Sequence, residues 1–285
     1  MSKVLSHIKV LQPGLQTSIQ DSGRYGYLSE GVPISGAMDQ SAFKLANLLV
    51  GNTENCAVIE WCLLPPKLQF KKSTLISFTG ASIQIFINGK EKPLNAPIIV
   101  PKNGIISFGK LVSGVYGYIA VKNGFQTKKV LGSRSKFKTI TKKVLLKKEM
   151  RLPYFPINKI KKFNSKIKIS QESNPKIKVF KGPEFDMLTS TQKTAIFKKL
   201  FSISNLRNRM GIQLEENFHS HNQSILSSPV LPGTVQWTPS GKLIVLMRDA
   251  QTIGGYPRIL QLSEDSINKI AQFSTEQEVW FEVIE

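Results

Sequence analysis

Short apolar or alternating runs, each closed within a few residues by Gly, Pro, Asn or Ser, dominate this sequence and limit the folds open to it. They fall at 75–78, 83–87, 98–100, 116–121, 244–247 and 279–283. Runs this short between turn residues read as strands. In IQIFINGKEKPL, Asn88-Gly89 follows such a run, and the tolerance of both residues for positive φ predicts a tight hairpin. Strands at this density, without regular helical stretches between them, point to a sandwich or barrel and not to alternating βαβ units.

Three segments break the pattern. In MDQSAFKLANLLVGN, Asp39 caps a helix whose Phe43, Ala46, Leu49 and Val50 face inward, and Gly51 supplies the left-handed stop. Pro183 opens a helical region over 184–200 with Leu188, Ile196, Phe197 and Leu200 as its apolar positions. Ser263 followed by Glu264 and Asp265 makes a favourable first turn, and Ile267, Ile270 and Ala271 form the buried stripe.

With 285 residues the chain holds one large core or two modest ones. The net charge of +20 is local: residues 128–178 carry 17 Lys and Arg against Glu149 and Glu172, +15 in one stretch. That stretch is rich in lysine and poor in aromatic residues, unlike a platform for stacking bases or reading base edges. It is read as a solvated basic connection between two β-rich lobes, and nucleic acid is not expected as a partner. The alternation in KIKIS and KIKVF leaves room for edge strands guarded by lysine.

Several chemistries find no support. No apolar run approaches the roughly 20 residues that cross a bilayer, and the N-terminal stretch lacks an apolar export core, so a cytoplasmic protein is expected, with no membrane partner. Cys56 and Cys62 are too few for a disulfide framework. Their even spacing places them on one face of a strand about 20 Å apart, as reduced, buried thiols. Residues 104–111, GIISFGKL, come close to a P-loop, but Leu111 stands where a Ser or Thr is needed and the interior reads as a strand. No Gly-rich turn opens a βαβ unit, and His219 and His221 have no third ligand nearby, so no metal site is expected. No Ser lies in G-x-S-x-G, and no Met-Lys pair offers a biotin attachment point.

Three dense polar clusters differ from ordinary core strands. TSIQDSGRYGY and the following GVPISGAMDQ interleave Gln20, Asp21, Arg24, Ser35 and Asp39 with glycines that allow close backbone approach. RDAQTIGGYP sets Asp249, Gln251, Thr252 and Tyr256 around Gly254-Gly255, whose N–H groups can face a carboxylate or phosphate, and Gln236 precedes it in TVQW. VLGSRS places Arg134 in a Gly-Ser turn able to grip a carboxylate. Each cluster is equally readable as tight turns bonded to themselves.

In this order, QTSIQDSGRYGY, GVPISGAMD with ANLLVGN, FTGAS with its NGK hairpin, GYIAVKNGF, VLGSRS, NRMGIQL and SPVLPGTVQWTPSGKLIVLMRDAQTIGGYP resemble the biotin-dependent carboxyltransferase family, in the branch formed by the C-type subunits of 5-oxoprolinase. Ser82, Gln213 and Ser228 depart from the family's pattern. The resemblance implies a mostly-β, cyclophilin-like barrel architecture: an N-terminal β-rich lobe over 1–135, the basic connecting segment 136–178, and a C-terminal barrel lobe over 179–285. It further implies hydrolysis of 5-oxo-L-proline to L-glutamate together with homologues of the 5-oxoprolinase A-type and B-type subunits, using ATP with Mg shared with those partners and no covalent biotin. The same family includes carboxyltransferases acting on urea, and an antagonist of a histidine-kinase inhibitor. Under the oxoprolinase reading Asp39, Asp249 and Gln251 are the candidate catalytic residues. Gln20, Asp21, Arg24, Ser35, Arg134, Gln236, Thr252, Gly254, Gly255 and Tyr256 are the candidate substrate or phosphate contacts.

Overall fold

The computed structural model describes residues 4–142, 145–157 and 174–284. They form two compact units. Residues 1–24 and 35–170 belong to the first, and residues 25–34 and 171–285 to the second.

Unit 1 is built on a nine-stranded antiparallel sheet: β1 Ser6–Gln12, β2 Ser18–Gln20, β3 Val58–Cys62, β4 Lys67–Phe70, β5 Thr74–Ile87, β6 Lys90–Lys92, β7 Ile98–Val100, β8 Ile105–Val121 and β9 Arg151–Tyr154. The order β2-β3-β8-β4-β1-β9 forms the main path, and β5 pairs with β6, β7 and β8. Two runs that the sequence separates, 75–78 and 83–87, are one 14-residue strand, because register shifts around Gly80 and Ser82 absorb the break as bulges. The same holds for β8, where GIISFGKL continues into 116–121, so the P-loop-like stretch is strand. Asn88 and Gly89 turn at φ 50° and 77° between β5 and β6, the positive pair a tight hairpin requires.

Alternation puts Ile8, Val10, Leu68, Phe70, Ile85 and Leu152 into one core with Trp61 and Phe78. Trp61 lies across Gly117, where a Cβ would stand 2.0 Å from the indole, so only glycine lets that ring pack. Helix α1, Gln40–Leu49, buries Phe43, Ala46 and Leu49 as expected. Its side-chain cap is Asp39 and Gly51 follows at φ 65°, the cap being worth about 1 kcal/mol. Helix α1 also corrects the cysteine reading. Asn47 donates to the carbonyls of Glu54 and Cys56, which holds Cys56 in a turn ahead of β3, partly exposed, while Cys62 is buried within the strand.

Unit 2 holds a closed seven-stranded barrel. Its elements are β10 Lys176–Lys181, α2 Ser190–Lys198, β11 Phe201–Arg207, β12 Gly211–Leu214, β13 Ser228–Pro229, β14 Thr234–Trp237, β15 Leu243–Leu246, β16 Ile253–Gly254, β17 Arg258–Leu262, α3 Glu264–Ala271 and β18 Glu278–Val283. The barrel order is β10-β17-β14-β15-β12-β11-β18, closed by a parallel β10–β18 pair, with β13 and β16 as a separate two-stranded sheet. Val179, Ile203, Val235, Trp237, Val245 and Phe281 are buried. Helix α3 starts at its Ser263 cap and buries Ile267, Ile270 and Ala271, as read from sequence. The 184–200 region differs from expectation. A single 3-10 turn covers Phe185–Met187, and the helix begins only at Ser190, where Thr189 and Gln192 make a reciprocal capping box, leaving Leu200 exposed.

Within the basic segment, β9 forms an edge of the unit 1 sheet, with Arg151 and Pro153 on it, and KIKVF opens β10. KIKIS, at 166–170, lies outside the described residues. Among the described residues, no helix is long and apolar enough to cross a membrane.

Candidate functional site

The polar residues singled out in unit 1 meet around one carboxylate. Asp21 follows β2 and is 6% exposed. Its Oδ1 accepts from Gly23 N at 3.0 Å and from the Ser133 and Ser135 hydroxyls at 2.6 Å each, and its Oδ2 accepts from Arg134 N at 2.6 Å. Asp21 N donates to Ser135 Oγ. These bonds clamp the VLGSRS turn, whose Leu131 and Gly132 both have positive φ, onto the QDSGR loop. Buried Arg24 donates to Ser135 O at 2.6 Å, and buried Gln20 donates to Ser18 Oγ and Lys136 O. Ala37 N reaches Asp21 O, which brings Ser35 to the same loop; Ser35 has φ 56°, and its buried hydroxyl has no hydrogen-bond partner. Asp21 therefore acts as an anchor gripped by four donors.

Beside this anchor opens a cleft of about 220 Å3, bordered by Ser22, Cys56, Gln126, Lys129 and Arg134. Gln126 is held by bonds from its Nε2 to the carbonyls of Asn123 and Gly124, and its Oε1 accepts from Arg134 Nη2 at 3.1 Å. The Arg134 guanidinium is thus oriented by a fixed amide while its Nε has no partner. A planar fork held this way suits a carboxylate.

Asp39 lies further along, at the start of α1. Its Oδ1 accepts from Ala42 N, and its own N–H donates to the Tyr118 hydroxyl at 2.8 Å. Tyr118 stands directly opposite Glu60 in the β3–β8 pair, and Glu60 accepts from Met38 N at 2.7 Å. Burial, then the charges of Glu60 and Asp39, push the Tyr118 phenol well above its ordinary pKa. Neither Glu60 nor Tyr118 is among the residues expected from sequence. The available signal was a lone carboxylate inside VIEWC, a strand buried at every position.

In unit 2 the second cluster is divided. Asp249 is held in a two-pronged ion pair by Arg209, at 2.7 and 2.9 Å, a partner that lies 40 residues away and was not foreseen. Gln236, on β14, is 2% exposed. Its Oε1 receives a long 3.4 Å contact from Gln251 Nε2, and its own Nε2 is buried without a partner. Gly254 is what makes room for it, since a Cβ there would stand 2.4 Å from that nitrogen. Gln236, Gln251 and Gly254 thus form one small amide group. Thr252 contributes its carbonyl to Val230 N, Gly255 its carbonyl to Ile225 N, and Tyr256 is 44% exposed.

His219 and His221 serve packing: the His221 ring lies 3.8 Å from that of Trp237 and its Nδ1 accepts from Gln223 N, while His219 O accepts from the Trp237 indole. No group of three or more His, Cys, Asp or Glu is placed to hold a metal among the described residues.

The model of the carboxyltransferase domain, subdomain A and B, matches residues 30–283. The chain belongs to that family. The C-type subunit of Escherichia coli 5-oxoprolinase is 29% identical over 282 residues, covering 96% of this chain and 90% of that protein. Saccharomyces cerevisiae urea amidolyase is 41% identical over 131 residues, which is 46% of this chain and 7% of that one. The solved Kluyveromyces lactis urea amidolyase superposes with a TM-score of 0.88 at 25% identity over 98% of this chain. The chain spans 19% of that structure and 55% of another solved relative. The carboxyltransferase-domain fold accounts for the mostly-β architecture and its closed barrel.

Proposed function

We propose that this carboxyltransferase-domain chain is the C-type subunit of an ATP-dependent 5-oxoprolinase, hydrolysing 5-oxo-L-proline to L-glutamate with homologues of the A-type and B-type subunits. What supports this over urea carboxylation is coverage. Sequence likeness to the E. coli oxoprolinase protein takes in 96% of this chain and 90% of that protein, whereas sequence likeness to the S. cerevisiae urea amidolyase takes in 46% of this chain and 7% of that protein.

In this reading Arg134 receives the substrate carboxylate in the unit 1 cleft, with Lys129 adding positive charge at its border. Asp21 and Arg24 hold the loop that presents it. In unit 2, the unpartnered Nε2 of Gln236 and the adjacent Gln251 form a separate amide group able to hydrogen-bond a ligand amide. Asp249, tied to Arg209, fixes the segment carrying Gln251. Asp39 caps α1 and positions Tyr118. ATP with Mg is shared between this chain and the partner subunits in this reading. A resonance-stabilised lactam needs such activation before water attacks.

The higher local identity to urea amidolyase favours a second reading, carboxyl transfer from carboxybiotin carried on another protein to urea or a related amide. Arg134→Gln in the assembled complex separates the readings at the level of the site. The oxoprolinase reading expects the KM for 5-oxoproline to rise at least tenfold, about 1.4 kcal/mol, with the KM for ATP unchanged. An unchanged KM for 5-oxoproline in an intact assembly removes the carboxylate role.

A further inference from the structure

Strands β4, β1 and β9 lie side by side, and alternation turns one set of their side chains outward. The registers Lys9↔Gln69 and Lys9↔Arg151 set Arg151, Lys9 and Gln69 in one row across the three strands. His7 opposes Pro153 in the next row, where Lys71 N also bonds to His7 O. The intervening Ile8, Phe70 and Leu152 point into the core. His7, Lys9, Lys71 and Arg151, with Gln69 and Asn103, line a cleft of about 400 Å3.

This concentration of charge is unusual for a sheet face. Like charges directly opposite each other destabilise a strand pair, and Lys9 and Arg151 are directly opposed. Glu149 relieves part of this through an exposed 2.7 Å contact with Lys9, but neither Lys71 nor Arg151 makes an ion pair among the described residues. Partial burial, then the charges of Arg151 and Lys71, lower the pKa of His7, which places all three groups within one positive field. Guarding the edge strand β9 against pairing accounts for Arg151 and Pro153. It does not account for Lys9 on the central strand or Lys71 beyond β4.

We infer that this cleft is a binding site for a small molecule carrying a diphosphate. Neighbouring strands lie about 4.8 Å apart and alternate residues along a strand about 6.6 Å apart, so the outward cations are spaced to meet two linked phosphates from both sides. Arg151 supplies a bidentate fork, Lys9 and Lys71 supply point charges, and Gln69 and Asn103 supply neutral donors. The site is separate from the Asp21–Arg134 cleft and does not depend on the oxoprolinase reading.

Calorimetric titration of the full chain with sodium pyrophosphate, orthophosphate and ADP, at constant ionic strength, tests it. The expected result is pyrophosphate binding at least tenfold tighter than orthophosphate; ADP equal to pyrophosphate marks a free diphosphate as the ligand, and tighter ADP binding marks a nucleotide. Lys71→Gln/Arg151→Gln, both exposed positions, is expected to weaken pyrophosphate at least tenfold, and Lys9→Gln alone by a smaller factor. Lys90→Gln/Lys92→Gln in β6 removes the same charge outside the cleft and is expected to change nothing. Equal affinity for orthophosphate and pyrophosphate, or equal losses in the two double variants, overturns the inference. So does a Lys71/Arg151 variant that self-associates while binding pyrophosphate as wild type does, which reduces these residues to edge protection.

Discussion

Asp21→Ala removes the carboxylate around which the unit 1 cluster is organised, and its cost follows from four hydrogen bonds. Two donors are the Ser133 and Ser135 hydroxyls, which can rotate to other acceptors. The other two are the N–H groups of Gly23 and Arg134, which lose the carboxylate they face. A buried donor left without a partner costs about 1–3 kcal/mol. Water from the adjoining cleft relieves part of this, so the expected loss is about 2–4 kcal/mol. For a unit of this size that lowers Tm by about 5–15 °C. Scanning calorimetry measures the shift, and hydrogen exchange at residues 130–135 localises it, because the VLGSRS turn is the segment released. Asp21→Asn, which keeps one acceptor oxygen, is expected to fall between alanine and wild type. A loss below about 0.5 kcal/mol, within the range of an ordinary surface substitution, together with unchanged exchange at 130–135, would refute the anchor assignment.

Tyr118→Phe takes the acceptor from Asp39 N and the donor from Glu60, and is expected to cost about 1–3 kcal/mol in chemical denaturation. Gly254→Ala drives a methyl group against Gln236 Nε2, the end of a flexible side chain. Stability is therefore expected to stay near wild type while the Gln236 side-chain amide resonances shift; unshifted resonances count against the amide group. The Glu184–Arg258 pair carries a pH signature. Hydrogen bonds from Arg258 hold the Glu184 carboxyl below its ordinary pKa. A depressed carboxylate contributes stability above its unfolded pKa and loses it as pH falls through the folded value. The stability gap between wild type and Glu184→Gln is expected to be full at pH 7 and to close below about pH 4.3; a gap that widens on acidification contradicts the pairing.

Where local chemistry decides, the sequence was readable. Asn88-Gly89 had to turn, Asp39 and Ser263 had to cap, and the alternation around them set the strands. The misreadings came where tertiary pairing overrides a local break. Gly80 looks like a strand end but is a bulge held by β8 on its other side. Pro183 looks like a helix start, yet the Thr189–Gln192 box, also present in the sequence, is what opens α2. Assignment of residues 25–34 to unit 2 leaves no mark in composition or periodicity. In the sites, the clusters flagged by their Gly and polar content were brought together in space: Gln20, Asp21, Arg24 and Arg134 meet through Ser133 and Ser135, about 110 residues on in the chain. Their partners were not legible, because Arg209, Glu60 and Tyr118 are distant in sequence from the residues they hold, and these and the nearby Gln126 each read as an ordinary strand or loop residue.

One reconstitution tests the oxoprolinase assignment most directly. The chain is combined with homologues of the A-type and B-type 5-oxoprolinase subunits from the same genome, and glutamate formed from 5-oxo-L-proline is followed with and without ATP, and with and without the chain. The prediction is ATP-dependent glutamate formation that requires this chain. A correctly assembled complex that forms no glutamate, or that forms it equally well without the chain, contradicts the assignment.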